Sequence, residues 1–305
     1  MYPLENVYGK KSYIAWEQNR QVEDLSGERS TPEEAYKDMW EVTSFTELIE
    51  RVAFLGAMNK RLVLYYRGQD TPLCPIPALF RPSWTCFDTS EKLAITDANR
   101  LAYWQALEEI GKRVYEICKR LGLPRWRGLR DIREAQWAVI QHYGVWPTPL
   151  IDLTLSLRVA ARFAFSFTGK DAKVGYIFVV GLPDTTGSIT FNLDQHVVLA
   201  RLQSVCPPVA KRPHYQDGFL VGRFPFHSPE GFKDAKQRKK IGLARRLIAV
   251  FKLVDRGGFW DNDFPNMNKA SVYPVNDPLW TEFVHAFGRE GRESVFGRAK
   301  RFRKL

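Results

Sequence analysis

"RLVLYYRG", residues 61–68, is the stretch that decides the fold, because the hydrophobic pattern changes here from helical to extended. The segment before it, residues 44–58, has apolar side chains at helical spacing and begins at Ser44 with the pattern of a capping box. The run 61–68 is short, apolar and aromatic, which is typical of a buried strand. It ends with Arg67 and Gly68, so the sequence predicts a charged side chain at the end of a hydrophobic strand.

The rest of the chain has a helical first third and a middle part that is rich in strands. Helices are predicted over residues 44–58, 91–122, 129–144 and 156–167. Strands are predicted over residues 61–68, 148–155, 173–182, 187–193 and 218–224, while residues 241–253 fit either a helix or a strand. This order predicts an α+β fold with one mixed sheet and with an N-terminal and an inserted helical part.

Composition and charge restrict the class of protein. The 305 residues include nine Trp and twenty Phe, which is enough for a sizeable core and argues against general disorder. The formal net charge is +11, and basic runs occur at residues 233–240, 244–246 and 288–305. Such runs favour contact with polyanions such as RNA, DNA or phosphorylated metabolites, but a solvated surface explains them equally well.

The cysteines and the hydropathy pattern exclude several other classes. Cys74, Cys86, Cys118 and Cys206 are widely spaced and form no CxxC pair, so disulfide staples and a zinc site are poorly supported. The start of the chain lacks an apolar signal region, and no run of about 18 apolar residues occurs. We therefore expect a cytoplasmic, reduced protein without a metal site and without a membrane partner.

Three short stretches combine polar side chains with the ends of predicted elements. They are Tyr66-Arg67-Gly68-Gln69, Asp152-Leu153-Thr154-Leu155-Ser156 and Tyr215-Gln216-Asp217-Gly218-Phe219. Each has a plain structural explanation: an ion pair for the arginine, a helix N-cap for the hydroxyls and a turn for the third stretch. His142 likewise is explained either by a hydrogen bond to the last carbonyls of its helix or by a ligand pocket.

Taken together, the three stretches suit a bound dinucleotide. Arg67 offers a planar, forked cation for a phosphate or a ribose, and Gly68 lets the backbone approach a flat ring. Ser156 places a hydroxyl at a helix N-terminus, where anionic groups are favoured. Gln216 offers an amide for a ribose hydroxyl. This set suits a nicotinamide dinucleotide that is held open for attack at its ribose.

The sequence also resembles a known family. "YRGQ" (66–69), "PALFR" (77–81), "QHYGVWPTPLIDLT" (141–154) and "VAARFAF" (159–165) are together similar to the FRG domain, over about residues 45 to 270. The sequence departs from that pattern at Pro149, where an arginine is usual, and at Leu153, where a tryptophan is usual.

The FRG pattern in turn is similar to the arginine-serine-glutamate class of ADP-ribosyltransferases, which implies a mainly antiparallel ADP-ribosyltransferase-like sheet. Arg67, then Thr154 with Ser156, then "AARFA" (160–164) match the first two motifs of that class by position. Gln216 stands where a glutamate is expected, and it can neither act as a base nor stabilise positive charge at the reacting ribose.

The resemblance implies roles for the matched residues, with NAD as the co-substrate. Arg67, Ser156 and Gln216 form the implied catalytic set. The implied cofactor-binding residues, with Tyr66 or Tyr143 stacking on the nicotinamide, are Tyr66, Arg67, Gly68, Gln69, His142, Tyr143, Thr154 and Ser156. No metal ion takes part.

The expected function is transfer of ADP-ribose from NAD to a macromolecule, with nucleic acid as the first acceptor and protein as the second. The resemblance implies a toxin or anti-phage effector and leaves room for a neutralising antitoxin. A non-catalytic nucleotide- or RNA-binding module and an NAD hydrolase stay open as alternatives. The expected domains are an N-terminal extension (1–43), an FRG domain (44–277) with a helical insertion (91–144), and a basic C-terminal tail (278–305).

Overall fold

The computed structural model describes residues 39–73, 75–85, 91–165, 173–226, 243 and 246–288. The chain divides into two compact units, each built from three separate segments. Unit 1 comprises residues 1–74, 154–184 and 243–272, and unit 2 comprises residues 75–153, 185–242 and 273–305. Helices and strands are mixed and the strands pair mostly antiparallel, which confirms the fold class at this level.

The described elements are numbered in chain order. The strands are β1 Trp40–Val42, β2 Val63–Gln69, β3 Ser83–Thr85, β4 Lys92–Ala94, β5 Leu150–Thr154, β6 Val174–Leu182, β7 Ile189–Asn192, β8 Val197–Arg201, β9 Gly218–Arg223 and β10 Leu247–Val254. The helices are α1 Phe45–Met58, α2 Arg100–Arg120, α3 Gly128–Asp131, α4 Arg133–Tyr143, α5 Leu157–Ala164, α6 Leu202–Val205, α7 Lys211–Gln216 and α8 Pro278–Phe287. Short 3-10 turns occupy Ala78–Phe80 and Lys269–Ser271.

Unit 1 contains four hydrogen-bonded strands in the order β1-β10-β6-β2. β1 runs parallel to β10, and the other two pairs are antiparallel. Helices α1 and α5 contribute to one apolar cluster with alternate residues of these strands, as expected where one face of a sheet is buried. The helix residues in this cluster are Phe45, Leu48, Val52, Leu55, Ala160, Ala161 and Ala164.

Helix α1 begins where the sequence predicts it. The Ser44 hydroxyl accepts a hydrogen bond from the backbone N–H of Glu47 at 3.1 Å, as in a capping box. The Glu47 carboxylate accepts a hydrogen bond from the N–H of Thr43 at 3.2 Å, whereas in a standard capping box it would accept one from the N–H of Ser44. The local sequence is therefore sufficient to fix the start of this helix.

Unit 2 contains the strand order β5-β9-β8-β7, in which β8 is antiparallel to both β9 and β7. Its core is larger than that of unit 1 and is formed mainly by α2, α4 and their neighbours. Helix α8 belongs to this core, since Leu279, Phe283 and Phe287 are buried in it. The two-stranded β3–β4 hairpin and the 3-10 turn Ala78–Phe80 also contribute to unit 2.

The structure changes several predicted boundaries. The expected C-terminal tail begins with α8, whose apolar face is buried, so residues 278–287 are part of unit 2. The expected N-terminal extension supplies β1, which pairs with β10. The predicted helix 91–122 begins only at Arg100, because residues 92–94 form β4. Residues 247–253 of the segment that fitted either a helix or a strand lie in a strand, β10.

Some predictions fall outside the described residues. The basic runs at 233–240, 244–245 and 289–305 belong to this group, as do Cys74 and Cys86. Cys118 and Cys206 are described, and both are free, buried thiols.

Candidate functional site

Arg67 lies in the second half of β2, and its side chain is held by a neighbour on the same strand face. Its Nε donates to Oε1 of Gln69 at 3.2 Å. Gln69 is in turn fixed by its amide nitrogen, which donates to the backbone carbonyls of Thr71 and Leu73. The guanidinium of Arg67 is therefore oriented by a chain of hydrogen bonds that ends on the backbone.

Gly68 is required by the packing of α5 against β2. A Cβ built on Gly68 would lie 1.8 Å from the carbonyl oxygen of Ala160 and 2.7 Å from the backbone nitrogen of Ala164. Gly175 on β6 is in the same situation, since a Cβ there would lie 2.6 Å from the carbonyl oxygen of Ala164. The expectation that Gly68 makes room for a flat ligand ring is therefore corrected: the glycine makes room for a helix of unit 1.

At the junction between β5 and α5, both of the predicted hydroxyls accept hydrogen bonds from nearby backbone N–H groups. The Thr154 hydroxyl accepts a hydrogen bond from the backbone N–H of Ser156 at 3.0 Å. The Ser156 hydroxyl accepts one from the N–H of Val159 at 3.3 Å and so caps α5. The Ser156 hydroxyl still carries its own proton, so it can donate to a second group. The N-cap explanation is confirmed, and it does not exclude contact with a ligand.

The strand register decides which side chains share a face of the sheet. Tyr66 is the Cα partner of Thr154, whereas Arg67 is the partner of Phe178 on β6. Successive residues of a strand point to opposite faces, so Tyr66 and Gly68 share the face of α5 and Arg67 projects from the other face. Tyr66 is half-buried against the core of unit 1, and this burial raises the pKa of its hydroxyl.

The unit 2 residues of the predicted site begin with His142 at the end of α4. His142 is buried, and its Nδ1 lies 3.8 Å from Oδ1 of Asp152. Its Nε2 has no hydrogen-bond partner within the described part of the chain. Burial lowers the pKa of His142, and the opposing effect of Asp152 is smaller.

Asp152 is held by a second polar chain in the same unit. Its Oδ2 accepts a hydrogen bond from the side-chain amide of Gln141 at 2.8 Å. The carbonyl oxygen of that amide accepts one from the Thr148 hydroxyl at 2.6 Å, and this hydroxyl also accepts from the N–H of Leu150. The polar residues of the "QHYGVWPTPLID" run thus fix the turn between α4 and β5.

Tyr143 is a core residue. Its side chain is fully buried, its ring packs edge-on against Phe283 of α8, and its hydroxyl donates to Oδ2 of Asp277 at 2.9 Å. Burial raises the pKa of Tyr143, and the neighbouring Cys206 and Asp277 act in the same direction. The expectation that Tyr143 stacks on a nicotinamide ring is therefore corrected, because no face of the ring is exposed.

Gln216 lies at the C-terminal end of α7 and is buried, and only Asp217 separates it from β9, so it stands at the entry to that strand as the sequence predicts. Asp217 follows in the left-handed conformation, with φ of 42°, and its Oδ1 accepts from the side-chain amide of Gln203 at 3.1 Å. The Asp217 carboxylate is therefore hydrogen-bonded within unit 2. The role of Gln216 beside a ligand stays a prediction.

Asp277 and Arg212 were missed by the sequence reasoning. Asp277 caps α8 through the N–H groups of Leu279 and Trp280, and it accepts from the N–H of Arg212 at 2.9 Å. The guanidinium carbon of Arg212 lies 4.6 Å from the ring centre of Tyr273, and the rings of Tyr143 and Trp280 are also within 6 Å. An aspartate directly before a proline is a helix-start signal that predicts the cap.

The predicted site residues thus form two groups. Tyr66, Arg67, Gly68, Gln69, Thr154 and Ser156 lie in unit 1, and His142, Tyr143 and Gln216 lie in unit 2. Within the described ranges, no group of three or more His, Cys, Asp or Glu side chains is arranged to hold a metal ion. The helices in these ranges are all too short or too polar to cross a membrane.

Comparison with known proteins gives one positive finding. Searches against curated proteins and against solved structures gave no match. The model of the FRG domain family matches residues 63–173, which begin with β2, end just before β6 and exclude Gln216. The match covers the Arg67 stretch, the α4–β5 turn and the β5–α5 junction, and it is narrower than the span expected from the sequence. Over residues 63–173, therefore, the chain is similar to the FRG domain family.

Proposed function

We propose that this chain is an NAD-dependent ADP-ribosyltransferase that modifies a macromolecule, with nucleic acid as the first acceptor to test. The observation that carries the proposal is the pre-oriented guanidinium of Arg67, held through Gln69 by the backbone at Thr71 and Leu73. A planar fork whose position is fixed before binding suits a pyrophosphate, since less conformational entropy is lost on binding.

The β5–α5 junction supports the same ligand class. Ser156 at the start of α5 retains a hydroxyl proton, and the helix start favours an anionic or electron-rich group. In unit 1 these features accompany the strand–helix contact that Gly68 makes possible. We assign Arg67 to a phosphate or ribose of NAD and Ser156 to the nicotinamide ribose.

The reaction breaks the bond between C1′ of the nicotinamide ribose and the ring nitrogen of nicotinamide. The electron pair of that bond leaves with nicotinamide, which becomes neutral. A nucleophilic oxygen or nitrogen of the acceptor then forms a bond to C1′ and releases its proton to the solvent. Because loss of nicotinamide is dissociative, positioning supplies much of the catalysis, and an uncharged Gln216 is compatible with a slow enzyme.

In a second candidate function, the same residues bind a nucleotide or an RNA end but catalyse no reaction. The absence of an acid at position 216 favours a module that binds a nucleotide or an RNA end without turning it over. Water as the acceptor would make the protein an NAD hydrolase. Product analysis separates these three outcomes.

The test is incubation of the purified chain with NAD labelled in the adenylate phosphate, together with total cellular RNA, DNA and protein. We expect label in one macromolecular fraction with the wild type and none with Arg67→Ala. Arg67→Lys should retain less than about a tenth of the activity, because the charge is kept but the fork is lost. The matched control is Arg61→Ala, since Arg61 is exposed and lies two residues before the first residue of β2.

The products decide between the candidates. Free ADP-ribose without labelled macromolecule would replace transfer with hydrolysis. Unchanged NAD, combined with NAD binding that is lost in Arg67→Ala, would support the binding module. Activity that survives in Arg67→Ala as fully as in Arg61→Ala would contradict the assignment of Arg67.

A further inference from the structure

The connection between α2 and α4 carries a dense positive charge in unit 2. Residues 119–133, called the basic connection below, contain six basic residues and one acidic residue. Their net charge of +5 is almost half of the +11 of the whole chain, in a twentieth of its length. All six basic side chains are exposed. They are Lys119, Arg120, Arg125, Arg127, Arg130 and Arg133.

Four of these charges are paired with carboxylates, and one of the four is Lys119, whose Nζ lies 3.9 Å from Oε2 of Glu116. Arg120 pairs with Glu282 at 3.0 Å, Arg130 with Asp131 at 2.8 Å and Arg133 with Glu134 at 3.0 Å. The basic members of these pairs are all exposed, and a salt bridge at the surface contributes little energy and is easily exchanged for another anion. The Glu134 carboxylate differs from the others in being buried.

Arg125 and Arg127 have no carboxylate partner within the described residues. Arg125 donates to the carbonyl oxygens of Gln203 and Ser204, at 3.0 and 3.2 Å, which fixes the guanidinium without removing its charge. Arg127 lies over the ring of Trp126, with its guanidinium carbon 4.8 Å from the ring centre. Lys119, besides its pair with Glu116, lies 5.6 Å over the ring of Tyr115.

The backbone of the basic connection is ordered. Gly122 and Arg125 adopt the left-handed conformation, with φ of 61° and 67°, and turns continue through hydrogen bonds from Trp126 to Leu123 and from Gly128 to Arg125. The buried side chain of Leu129 anchors the segment in the core. The charges are therefore displayed by a rigid part of unit 2.

Cations that alternate with aromatic rings on a rigid surface suit a polymer of phosphates and bases. Guanidinium groups bind phosphate oxygens in pairs, and the exposed guanidinium of Arg127, which lies over the ring of Trp126, offers a flat cation on which a base can stack. We propose that the basic connection is a nucleic-acid-binding surface, with Lys119, Arg125 and Arg127 on the phosphodiester backbone. This inference concerns binding, and it does not require the ADP-ribosyl transfer proposed above.

The test measures binding of the full-length protein to a fluorescent single-stranded RNA of about 20 nucleotides by anisotropy, without NAD. The salt concentration is varied from about 50 to 200 mM. The variant Lys119→Gln/Arg127→Gln is compared with Lys60→Gln/Arg61→Gln, in which one exposed lysine and one exposed arginine of unit 1 are removed. Thermal unfolding of both variants checks that the fold is kept.

We expect the Lys119→Gln/Arg127→Gln variant to bind roughly tenfold more weakly, and the slope of log K against log salt to fall by about 1.4, because two phosphate contacts are lost. The control variant should keep the wild-type slope. DNA of the same sequence tests whether the phosphodiester alone is recognised.

Three outcomes would overturn the inference. The wild type binds neither RNA nor DNA; or both variants lose the same affinity, which indicates a diffuse charge effect; or a poly-glutamate peptide of equal charge binds as tightly and with the same dependence on Lys119 and Arg127. The last outcome would identify the surface as a docking site for an acidic protein.

Discussion

The hydroxyl of Tyr143 donates a hydrogen bond to Oδ2 of Asp277 at 2.9 Å, and both side chains are buried in unit 2. The bond joins the end of α4 to the start of α8, which are separated by 134 positions in the sequence. Asp277 also accepts from three backbone N–H groups, those of Arg212, Leu279 and Trp280. One carboxylate therefore caps the N-terminus of α8 and attaches this helix to the rest of the unit.

Truncation of this carboxylate should be costly. Asp277→Ala removes the helix cap and leaves buried donors unpaired, so we expect the free energy of unfolding to fall by at least about 3 kcal/mol. Tyr143→Phe removes one donor from a carboxylate that keeps three others and should cost about 1–2 kcal/mol. Tyr115→Phe, at a half-buried ring of α2, is the control. Urea denaturation measures all three, and equal losses for the two tyrosine variants would contradict this role for the bond.

The contact between Gly68 and α5 predicts a strict requirement for glycine. Gly68→Ala places a methyl group 1.8 Å from the Ala160 carbonyl oxygen, so the helix or the strand must shift. We expect a loss of about 3 kcal/mol or more in unfolding free energy. Gly258→Ala, where a Cβ meets nothing within 4 Å, serves as the matched control in the same unit. A Gly68→Ala protein with the stability of that control would show that α5 does not pack on β2 as described.

Buried His142 should make the protein less stable in mild acid. Burial lowers the pKa of His142 from its ordinary value of 6.5, so the unfolded chain takes up a proton that the folded chain resists. The contribution is fully present above pH 6.5 and is lost as the pH falls towards the folded pKa. The charge of Arg212 lowers the pKa of His142 further, and burial outweighs the opposing effects of Asp152 and Asp277.

The measurement is the free energy of unfolding between about pH 5 and 8 for the wild type and for His142→Gln. The wild-type curve should fall more steeply below pH 6.5 than the curve of the variant. His285→Gln, at an exposed position of α8, should follow the wild type. Parallel curves for the wild type and His142→Gln would refute the prediction.

The two described thiols should be unreactive in the folded protein. Burial raises the pKa of Cys118 to about 12 and raises the pKa of Cys206 as well, so almost no thiolate is present at neutral pH. Alkylation with iodoacetamide followed by peptide mass spectrometry should modify neither residue in buffer and both in urea. Modification of Cys118 in the native protein at the rate of the unfolded chain would count against its burial.

Gln216 allows a test of the proposed chemistry by gain of function. If the position corresponds to the glutamate of the transferase class, Gln216→Glu should raise NAD turnover by about tenfold or more, since a positioned acid or base commonly contributes a factor of 10² to 10⁴. Gln216 is buried, so the new carboxylate should also reduce stability. Gln216→Met, similar in size and uncharged, separates the two effects. Slower or unchanged turnover in Gln216→Glu would argue against this assignment.

The sequence alone determined those features that depend on neighbours along the chain. Helix α1 follows from the Ser44 cap and its apolar spacing, and β2, β5, β6 and β9 lie where short apolar runs predict strands. The junction at Ser156 was predicted as a possible N-cap, and it is one. Hydrogen bonds between residues two to four positions apart fix the two helix starts, and the apolar pattern along the chain marks the strands, so a single sequence is enough to recognise both.

The tertiary structure decided the features that depend on distant partners. Gly68 looked like an opening for a ligand, but it faces the carbonyl of Ala160, 92 positions away in the numbering of the chain. Tyr143 looked like a stacking surface, but its ring is buried and its hydroxyl meets Asp277. The sequence shows that a side chain can stack, bind or cap, whereas only the packing of elements that are remote in the chain determines which group it actually meets.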